Sequence, residues 1–185
     1  MALFFSLSMP LRLTAGQPTE QLRATVDALF AALSAPRPTA APGPELRERL
    51  GRLIAARFDF AEMARRALGA HWPALTMAEQ REFVEAFAAL LEKSYGHALY
   101  TYSGEKLTYS SETQQGDDAE VHTTAVIKSG DATSVNYKLH RIDDEWKVYD
   151  VVIESVSLVD NYRSQFNRVI AASSFHALVR KMKQG

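Results

Sequence analysis

Hydrophobic residues recur at helical spacing through the first hundred residues of the chain. In residues 19–33 and again in residues 46–58 the apolar positions lie three or four apart, which predicts two amphipathic helices. Residues 36–44 hold four of the seven prolines, so we predict a stiff surface loop between these helices. A third stripe, in residues 77–99, predicts the longest helix.

Two capping boxes mark the starts of further helices. Asp59 stands three residues before Glu62, and Thr76 stands three residues before Glu79. In such a pair the first side chain accepts a hydrogen bond from a backbone amide of the new helix, and the second reaches back to the amide of the capping residue. We therefore predict a short helix after Asp59, ended by Gly69, and the long helix after Thr76.

After residue 100 the apolar positions recur every second residue, which is the period of a strand. Residues 105–111, 119–128 and 133–142 each place apolar side chains on one side, and short turns separate them. Helices followed by strands and then by helices are typical of the α+β class. We expect a curved antiparallel sheet of about four strands, with helices covering it.

The stretch of residues 146–166 joins the last strand to a helix. Residues 146–157 are rich in β-branched and aromatic side chains and predict one long strand with apolar residues on both faces. Beyond it the apolar positions return to helical spacing, and Ser157 or Asp160 is expected to cap the new helix. A last helix is predicted in residues 175–182.

The length of 185 residues is that of one domain. Residues 1–16 contain an apolar run that is too short to span a bilayer and ends in small residues, which is typical of a secretory signal. The usual charged start is missing, so a hydrophobic arm packed on the domain is the alternative. We predict an exported protein with a signal-like segment in residues 1–16 and one domain in residues 17–185.

Composition excludes several classes of function. The chain has no cysteine, which excludes disulfides, thiolate catalysis and cysteine-ligated metal. A formal net charge of −1 gives no field that attracts nucleic acid, so no nucleic-acid partner is predicted. The five histidines form no metal-binding pair, and neither a nucleophile elbow nor a glycine-rich phosphate loop is present. We predict no metal, no cofactor and no catalytic set.

Asp150 is the acidic residue that the pattern singles out, because it lies midway along an apolar stretch. A carboxylate in such a place can act as a general base. It can equally accept hydrogen bonds from backbone amides, pair with a basic side chain or face solvent. We interpret Asp150 as structural.

Three stretches of the chain together carry the pattern of a known family. They are FDFAEMARRALGAHW at residues 58–72, QREFVEAFAALLEKSY at residues 80–95 and WKVYDVVIESVSLVDNYRSQF at residues 146–166. In this order they resemble the MlaC/toluene-tolerance family of periplasmic phospholipid-binding proteins. The resemblance runs from about residue 22 to residue 170, and Ser155 stands where the family usually has glycine.

The resemblance implies an NTF2-like curved sheet with helices enclosing a deep apolar pocket. It also implies a periplasmic carrier, not an enzyme, that binds the acyl chains of a phospholipid. Such a carrier moves lipid between an outer-membrane lipoprotein complex and an inner-membrane ABC transporter with an MCE-domain subunit. A hopanoid or other polycyclic lipid is a variant of this function. The chain has no dense basic cluster, so we expect the headgroup to be read only weakly.

The wall of the pocket is expected to follow from strand parity. Strict alternation places Asp150 on one face of its strand, and a carboxylate is costly beside acyl chains unless it is paired. We therefore predict that the opposite face, with Tyr149, Val151 and Ile153, lines the pocket. The complete set of predicted lipid-binding residues is Phe83, Phe87, Leu91, Tyr95, Val135, Tyr137, Leu139, Tyr149, Val151, Ile153 and Phe166.

Two other classes of function fit the same pattern. An NTF2-like enzyme acting on a small molecule needs an acid or a tyrosine inside the pocket, and Asp150, Tyr137 and Tyr149 are its candidates. A module that only binds other proteins needs a pocket filled by its own side chains.

Overall fold

The computed structural model describes residues 17–35, 42–100, 106–126 and 130–184. Within these ranges four α-helices precede five strands and two α-helices follow them, and a short 3-10 helix, Gly69–Ala74, follows α3. The signal-like segment of residues 1–16 and most of the proline-rich loop lie outside the described residues. The elements are α1 (Gln17–Ser34), α2 (Pro44–Arg57), α3 (Phe60–Leu68), α4 (Met77–Tyr100), β1 (Lys106–Gln115), β2 (Asp118–Val126), β3 (Ala132–Ile142), β4 (Glu145–Ile153), β5 (Val156–Ser157), α5 (Leu158–Ala172) and α6 (Phe175–Gln184).

The strands form one curved, unclosed sheet in which each strand pairs antiparallel with the next along the chain. This topology confirms the predicted α+β class and its antiparallel meander. The described sheet has five strands where about four were predicted, because a strand of two residues, β5, follows β4.

The single long strand predicted for residues 146–157 is instead a strand and a tight hairpin. The chain turns at Glu154 and Ser155, whose φ angles are 47° and 65°. Two consecutive residues with positive φ are what a two-residue hairpin turn requires. The turn brings β5 back beside β4, with Ser157 opposite Val152. Neither turn residue is the usual glycine or asparagine, so the residue pattern alone did not predict the turn, although Ser155 stands where the family usually has glycine.

A bulge at Tyr149 changes the faces of β4. Its neighbours Val148 and Asp150 pair with consecutive residues of β3, so Tyr149 is an additional residue on this strand. Val148 and Val151 consequently pack into one cluster on the same face of the sheet, where strict alternation would separate them. The strict alternation from which the wall of the pocket was predicted therefore does not hold at Tyr149.

The first hydrophobic core joins α3 and the N-terminal half of α4 to α5 and α6. The rings of Phe83 and Phe87 both meet the ring of Phe166 edge to face, with centroids 5.5 Å and 5.4 Å away. Full burial of one such side chain stabilises the fold by about 2–3 kcal/mol. This core therefore fixes the helices that flank the sheet.

The second core packs α1 onto one face of the sheet. Leu22 of α1 contacts a buried cluster that includes Val121, Leu139, Trp146 and Val148 of the strands. A smaller cluster joins α1 to α2. These two clusters hold α1 and α2 over the sheet, and Phe58 packs against both the first and the second core.

Local capping agrees with most of the predicted boundaries. Thr76 and Glu79 form the reciprocal box, with amide-to-side-chain distances of 2.8 Å and 3.3 Å. Asp59 accepts the amide hydrogen of Glu62 at 2.9 Å, but its own amide donates to the Val148 carbonyl, so this box is only half formed. That bond ties the start of α3 to the edge of β4.

Ser157 is the cap of α5, because its Oγ accepts the amide hydrogen of Asp160 at 3.0 Å. The structure thus decides between the two capping residues that the sequence left open. Gly69, with φ 54°, ends α3 as predicted.

We predict that Ser155→Gly stabilises the protein. Ser155 is held in the left-handed region, which costs a residue with a Cβ atom roughly 1 kcal/mol, and glycine removes that cost. Part of the gain is offset by the greater freedom of glycine in the unfolded chain, so we expect a net rise of about 0.5 kcal/mol in the free energy of unfolding. Urea denaturation measures this change, and Ser155→Ala, which keeps a Cβ atom, is the control. A midpoint for Ser155→Gly that is equal to or below that of wild-type protein would show that Ser155 is not strained.

Candidate functional site

A cavity of about 540 Å³ lies between one face of the sheet and helices α1 to α4. Its volume falls within the range of pockets that hold small organic ligands. Almost all of its lining is apolar. The lining residues from the helices and the segments beside them are Leu22, Thr25, Val26, Leu29, Gly51, Ile54, Phe58, Phe60, Met63, Ala88, Ala89, Leu91, Glu92, Tyr95, Gly96, Leu99, Tyr100 and Leu158, and those from the sheet are Tyr137, Val151 and Ile153.

The mouth of the cavity lies between α2 and the C-terminal half of α4. Gly51 on α2 and Ala89, Glu92 and Tyr95 on α4 line the cavity and are also exposed. A Cβ atom added to Gly51 would meet no atom within 4 Å, so this position opens directly onto free space. Small residues on both helices therefore leave the cavity accessible from solvent.

The mouth of the cavity carries a charged group and a tyrosine hydroxyl that contacts it. Among the described lining residues Glu92 is the one with a formal charge. The hydroxyl of Tyr100 donates to Glu92 Oε1 at 3.0 Å, and the guanidinium of Arg47 on α2 lies over the Tyr100 ring, 5.8 Å from its centroid. Burial and the hydrogen bond to Glu92 raise the pKa of Tyr100. The interior of the cavity remains uncharged.

Arg57 fixes the closed side of the site by tying three elements together. Its guanidinium donates to Gln21 at 2.8 Å, to Thr25 at 3.1 Å and to the carbonyl of Trp146. Burial lowers the pKa of Arg57, although an arginine stays charged at neutral pH. These bonds link α1, α2 and β4 and position Thr25 in the cavity wall.

Five of the eleven predicted lipid-binding residues lie on the cavity wall. Leu91 and Tyr95 come from α4, Tyr137 comes from β3, and Val151 and Ile153 come from β4. The sheet residues are brought together by pairing, since Tyr137 is opposite Val151. Their contact with a lipid stays a prediction.

Four predicted residues lie in closed cores and do not line the cavity. Phe83, Phe87 and Phe166 are at most 3% exposed in the first core, and Leu139 is fully buried in the second. The apolar stripe of α4 faces α5 and α6 along its first half and reaches the cavity only beyond them. An apolar stripe predicts that one face of a helix is shielded from water, but it does not show whether that face packs in a protein core or lines a cavity.

Val135 and Tyr149 are also placed away from the cavity lining. Val135 of β3 is opposite Ile153 of β4, and the Val135 carbonyl accepts a hydrogen bond from the Thr123 hydroxyl. The Tyr149 ring lies under the guanidinium of Arg66, 3.9 Å from its centroid, and meets His140 edge to face. The bulge that turns Val151 toward the cavity places Tyr149 against α3.

The sequence interpretation missed the contribution of α1 and α2. Leu22, Val26 and Leu29 of α1 line the cavity, as do Ile54 of α2 and Phe58, which follows it. All five belong to the apolar stripes of the two predicted helices. Their spacing indicated burial, but nothing in it distinguished a packed core from an open cavity.

Asp150 has a structural role in this protein. It is 4% exposed, and it accepts hydrogen bonds from the Ser157 hydroxyl at 2.7 Å and from the Val159 amide at 3.1 Å. Lys138 approaches the same carboxylate at 3.6 Å. Asp150 does not line the cavity. Its hydrogen bonds with Ser157 and Val159 hold the start of α5 to the sheet. In the described part of the chain no group of three acidic or histidine side chains is placed to hold a metal ion.

We predict that Asp150→Ala lowers the free energy of unfolding by about 2 kcal/mol. The change leaves the Val159 amide without its acceptor and removes the partner of Lys138. Asp150→Asn retains an acceptor and is expected to cost about half as much. Urea denaturation of both variants measures the effect; an unchanged midpoint for Asp150→Ala would exclude this anchoring role.

We also predict that Tyr137 makes the protein less stable at alkaline pH. Burial raises the pKa of Tyr137 to about 12 from the ordinary value of 10.0. Between these values the unfolded chain loses the phenol proton while the folded chain keeps it, so stability falls as pH rises from about 10 to 12. Tyr137→Phe is expected to reduce this fall by about 1–2 kcal/mol, measured by urea denaturation at several pH values. Equal slopes for the two proteins would contradict it.

Sequence comparison shows what this chain is similar to. The family model described as MlaC protein matches residues 23–184. The chain is 31% identical over 125 residues to the intermembrane phospholipid transport system binding protein MlaC of Haemophilus influenzae, which is 64% of this chain and 58% of that protein. It is 29% identical over 92 residues to toluene tolerance protein ttg2D of Pseudomonas putida, which is 49% of this chain and 43% of that protein. The chain thus spans about half the length of these curated relatives.

Structural comparison agrees with the sequence. The fold is similar to that of a phospholipid-binding protein from Ralstonia solanacearum, solved in complex with a phospholipid, with a TM-score of 0.78 at 24% identity. The similarity covers 91% of this chain and 96% of the other. No described helix has the length and apolar character needed to cross a membrane. Because the family model covers nearly the whole chain and the fold agrees, this protein belongs to the MlaC family.

Proposed function

We propose that this protein is a periplasmic carrier that holds the acyl chains of a phospholipid in the cavity and moves the lipid between two membranes. The observation that carries the proposal is the cavity itself, which is almost entirely apolar and opens at a mouth that carries Glu92, the one described lining residue with a formal charge. This arrangement matches an amphiphile, whose tails need an apolar space and whose head needs water. The names of the relatives, which refer to phospholipid binding and transport, support the same substrate class.

The energetics suit exchange with a membrane. Burying one methylene group from water is worth about 0.8 kcal/mol, so a lipid in the cavity is strongly held against water. Moving the same tail from a bilayer to the cavity gains almost nothing, because both surroundings are apolar. The carrier therefore needs no energy source of its own, and partner proteins at each membrane must decide whether lipid enters or leaves.

The partners form part of the proposal. Membership of the MlaC family favours an inner-membrane ABC transporter with an MCE-domain subunit at one end and an outer-membrane lipoprotein complex at the other. The Haemophilus influenzae relative is named for an intermembrane transport system, which supports a route between two membranes. A periplasmic location follows from that route.

Catalysis has little support from the geometry. Of the three residues that an NTF2-like enzyme would use, only Tyr137 lines the cavity. Asp150 is held by Ser157 and Val159, and Tyr149 packs against Arg66. The other alternative is that the cavity holds a polycyclic lipid in place of a phospholipid, which would be a different ligand bound in the same way.

We predict that native protein, extracted with organic solvent and examined by mass spectrometry, yields near-stoichiometric diacyl phospholipid. Val151→Glu places a carboxylate in the apolar wall and is expected to reduce bound lipid by roughly tenfold or more. Val152→Glu is the matched control on the adjacent residue, which is not part of the lining. It is expected to lower the melting temperature while folded protein keeps its lipid.

A second variant tests the same cavity in case Val151→Glu fails to fold. Gly51→Trp fills the mouth from an exposed helical position with free space around it, so it should displace lipid without loss of stability. Ala56→Trp, exposed on the same helix and outside the lining, is its control. The carrier function would be refuted if wild-type protein contained no lipid, or if both cavity variants retained their full amount of lipid. If the extracted lipid were only polycyclic, the ligand would not be a phospholipid.

A further inference from the structure

The charged groups at the mouth of the cavity have a specific arrangement. Tyr100 lies between a carboxylate and a guanidinium that come from different helices. Its hydroxyl donates to Glu92 Oε1 at 3.0 Å, and its ring lies 5.8 Å from the guanidinium carbon of Arg47. We call these three residues the rim triad. One negative and one positive group thus flank the opening, and both are exposed.

The head of any lipid in the cavity must lie close to the rim triad. The lining inside the mouth is apolar, and a charged head cannot enter it without a large cost in free energy. Glu92 and Tyr100 belong to the lining and Arg47 adjoins Tyr100, so the three side chains border the place where the head meets solvent. This step rests on the proposed function, because it takes the tails to be in the cavity.

A planar guanidinium presents paired donors that suit the oxygens of a phosphate. A carboxylate attracts an ammonium group and repels a phosphate that has no ammonium beside it. A head that carries both a phosphate and a primary amine can therefore satisfy Arg47 and Glu92 together. A head that carries a phosphate and only hydroxyl groups meets the same repulsion from Glu92 without the offsetting attraction.

We propose that the rim triad makes this carrier prefer zwitterionic phospholipids with an amine in the head over anionic phospholipids without one. Glu92 supplies the discrimination, and Arg47 holds the phosphate that both lipids share. Exposed charges act weakly, so the preference is about twofold to fourfold. This agrees with the weak reading of the headgroup that the sequence predicts.

The test loads the full chain, freed of lipid, from vesicles of equimolar phosphatidylethanolamine and phosphatidylglycerol with identical acyl chains at low salt. Both lipids are then quantified by mass spectrometry in the repurified protein. Wild-type protein is expected to carry about two to four times more phosphatidylethanolamine than phosphatidylglycerol. In Glu92→Gln, which keeps an acceptor for Tyr100, this ratio is expected to fall to about one.

Two control variants separate contact from overall charge. Glu85→Gln removes the same charge from an exposed position on α4 outside the lining, and its lipid ratio is expected to match that of wild type. Arg47→Gln is expected to reduce the loading of both lipids while leaving their ratio near the wild-type value. Three results would overturn the proposal even though lipid is still bound. They are equal amounts of the two lipids in wild-type protein, a lipid ratio in Glu92→Gln that matches wild type, and a change of ratio in Glu85→Gln as large as that in Glu92→Gln. Absence of both lipids from wild-type protein would overturn the proposed function as well.

Discussion

Tyr149 forms a bulge in β4, because it has no partner between two consecutive paired residues of β3. This bulge decides which side chains of β4 face the helices. Before the bulge, Trp146 and Val148 fill the core beneath α1. After it, Val151 and Ile153 line the cavity on the same face. A regular strand would have placed these two pairs on opposite faces, so it could not have supplied both a closed core and an open wall.

The same bulge settles the position of Asp150. Its carboxylate reaches the Ser157 hydroxyl and the Val159 amide, which lie at the hairpin and the first turn of α5. These bonds therefore fix the hairpin and the start of α5 to β4, the strand whose Val151 and Ile153 border the cavity. A charge in the middle of an apolar strand is stabilising here, because the bulge directs it to donors and away from the space for the ligand.

Stability and binding are supplied by different parts of the molecule. Close packing is complete where α3, α5 and α6 meet the first half of α4, around Phe83 and Phe87. The second half of α4 extends beyond this core and forms one wall of the cavity. Protein interiors usually fill their space, so a cavity of this kind needs rigid elements on each side to keep it open. The first core and the Arg57 bonds between α1, α2 and β4 provide them.

Periodicity predicted the elements well because it reflects burial, which the helices and strands of this chain obey. The stripe along the first half of α4 and the alternation in β2 correctly indicated which residues are covered. Periodicity failed where the chain departs from a regular repeat without a glycine to mark the departure. Tyr149 and Ser155 are both ordinary residues in strand-like sequence, and each sits at an irregular position. Phe87 and Leu91, which are four residues apart on α4, illustrate the other limit. Both belong to the first core, but Leu91 also lines the cavity, and their spacing does not distinguish the two environments.

For the proposed carrier, the weakness of the rim contacts is a functional requirement. Acyl chains have nearly the same free energy in the cavity as in a bilayer, so any strong bond to the head would add directly to the cost of release. Glu92 and Arg47 are exposed and screened by solvent, and their contacts with a head are worth little more than thermal energy. Such contacts can bias which lipid is taken up while leaving its release to a membrane partner. A buried, bidentate site for the phosphate would select more sharply, but it would retain the lipid that the carrier must deliver.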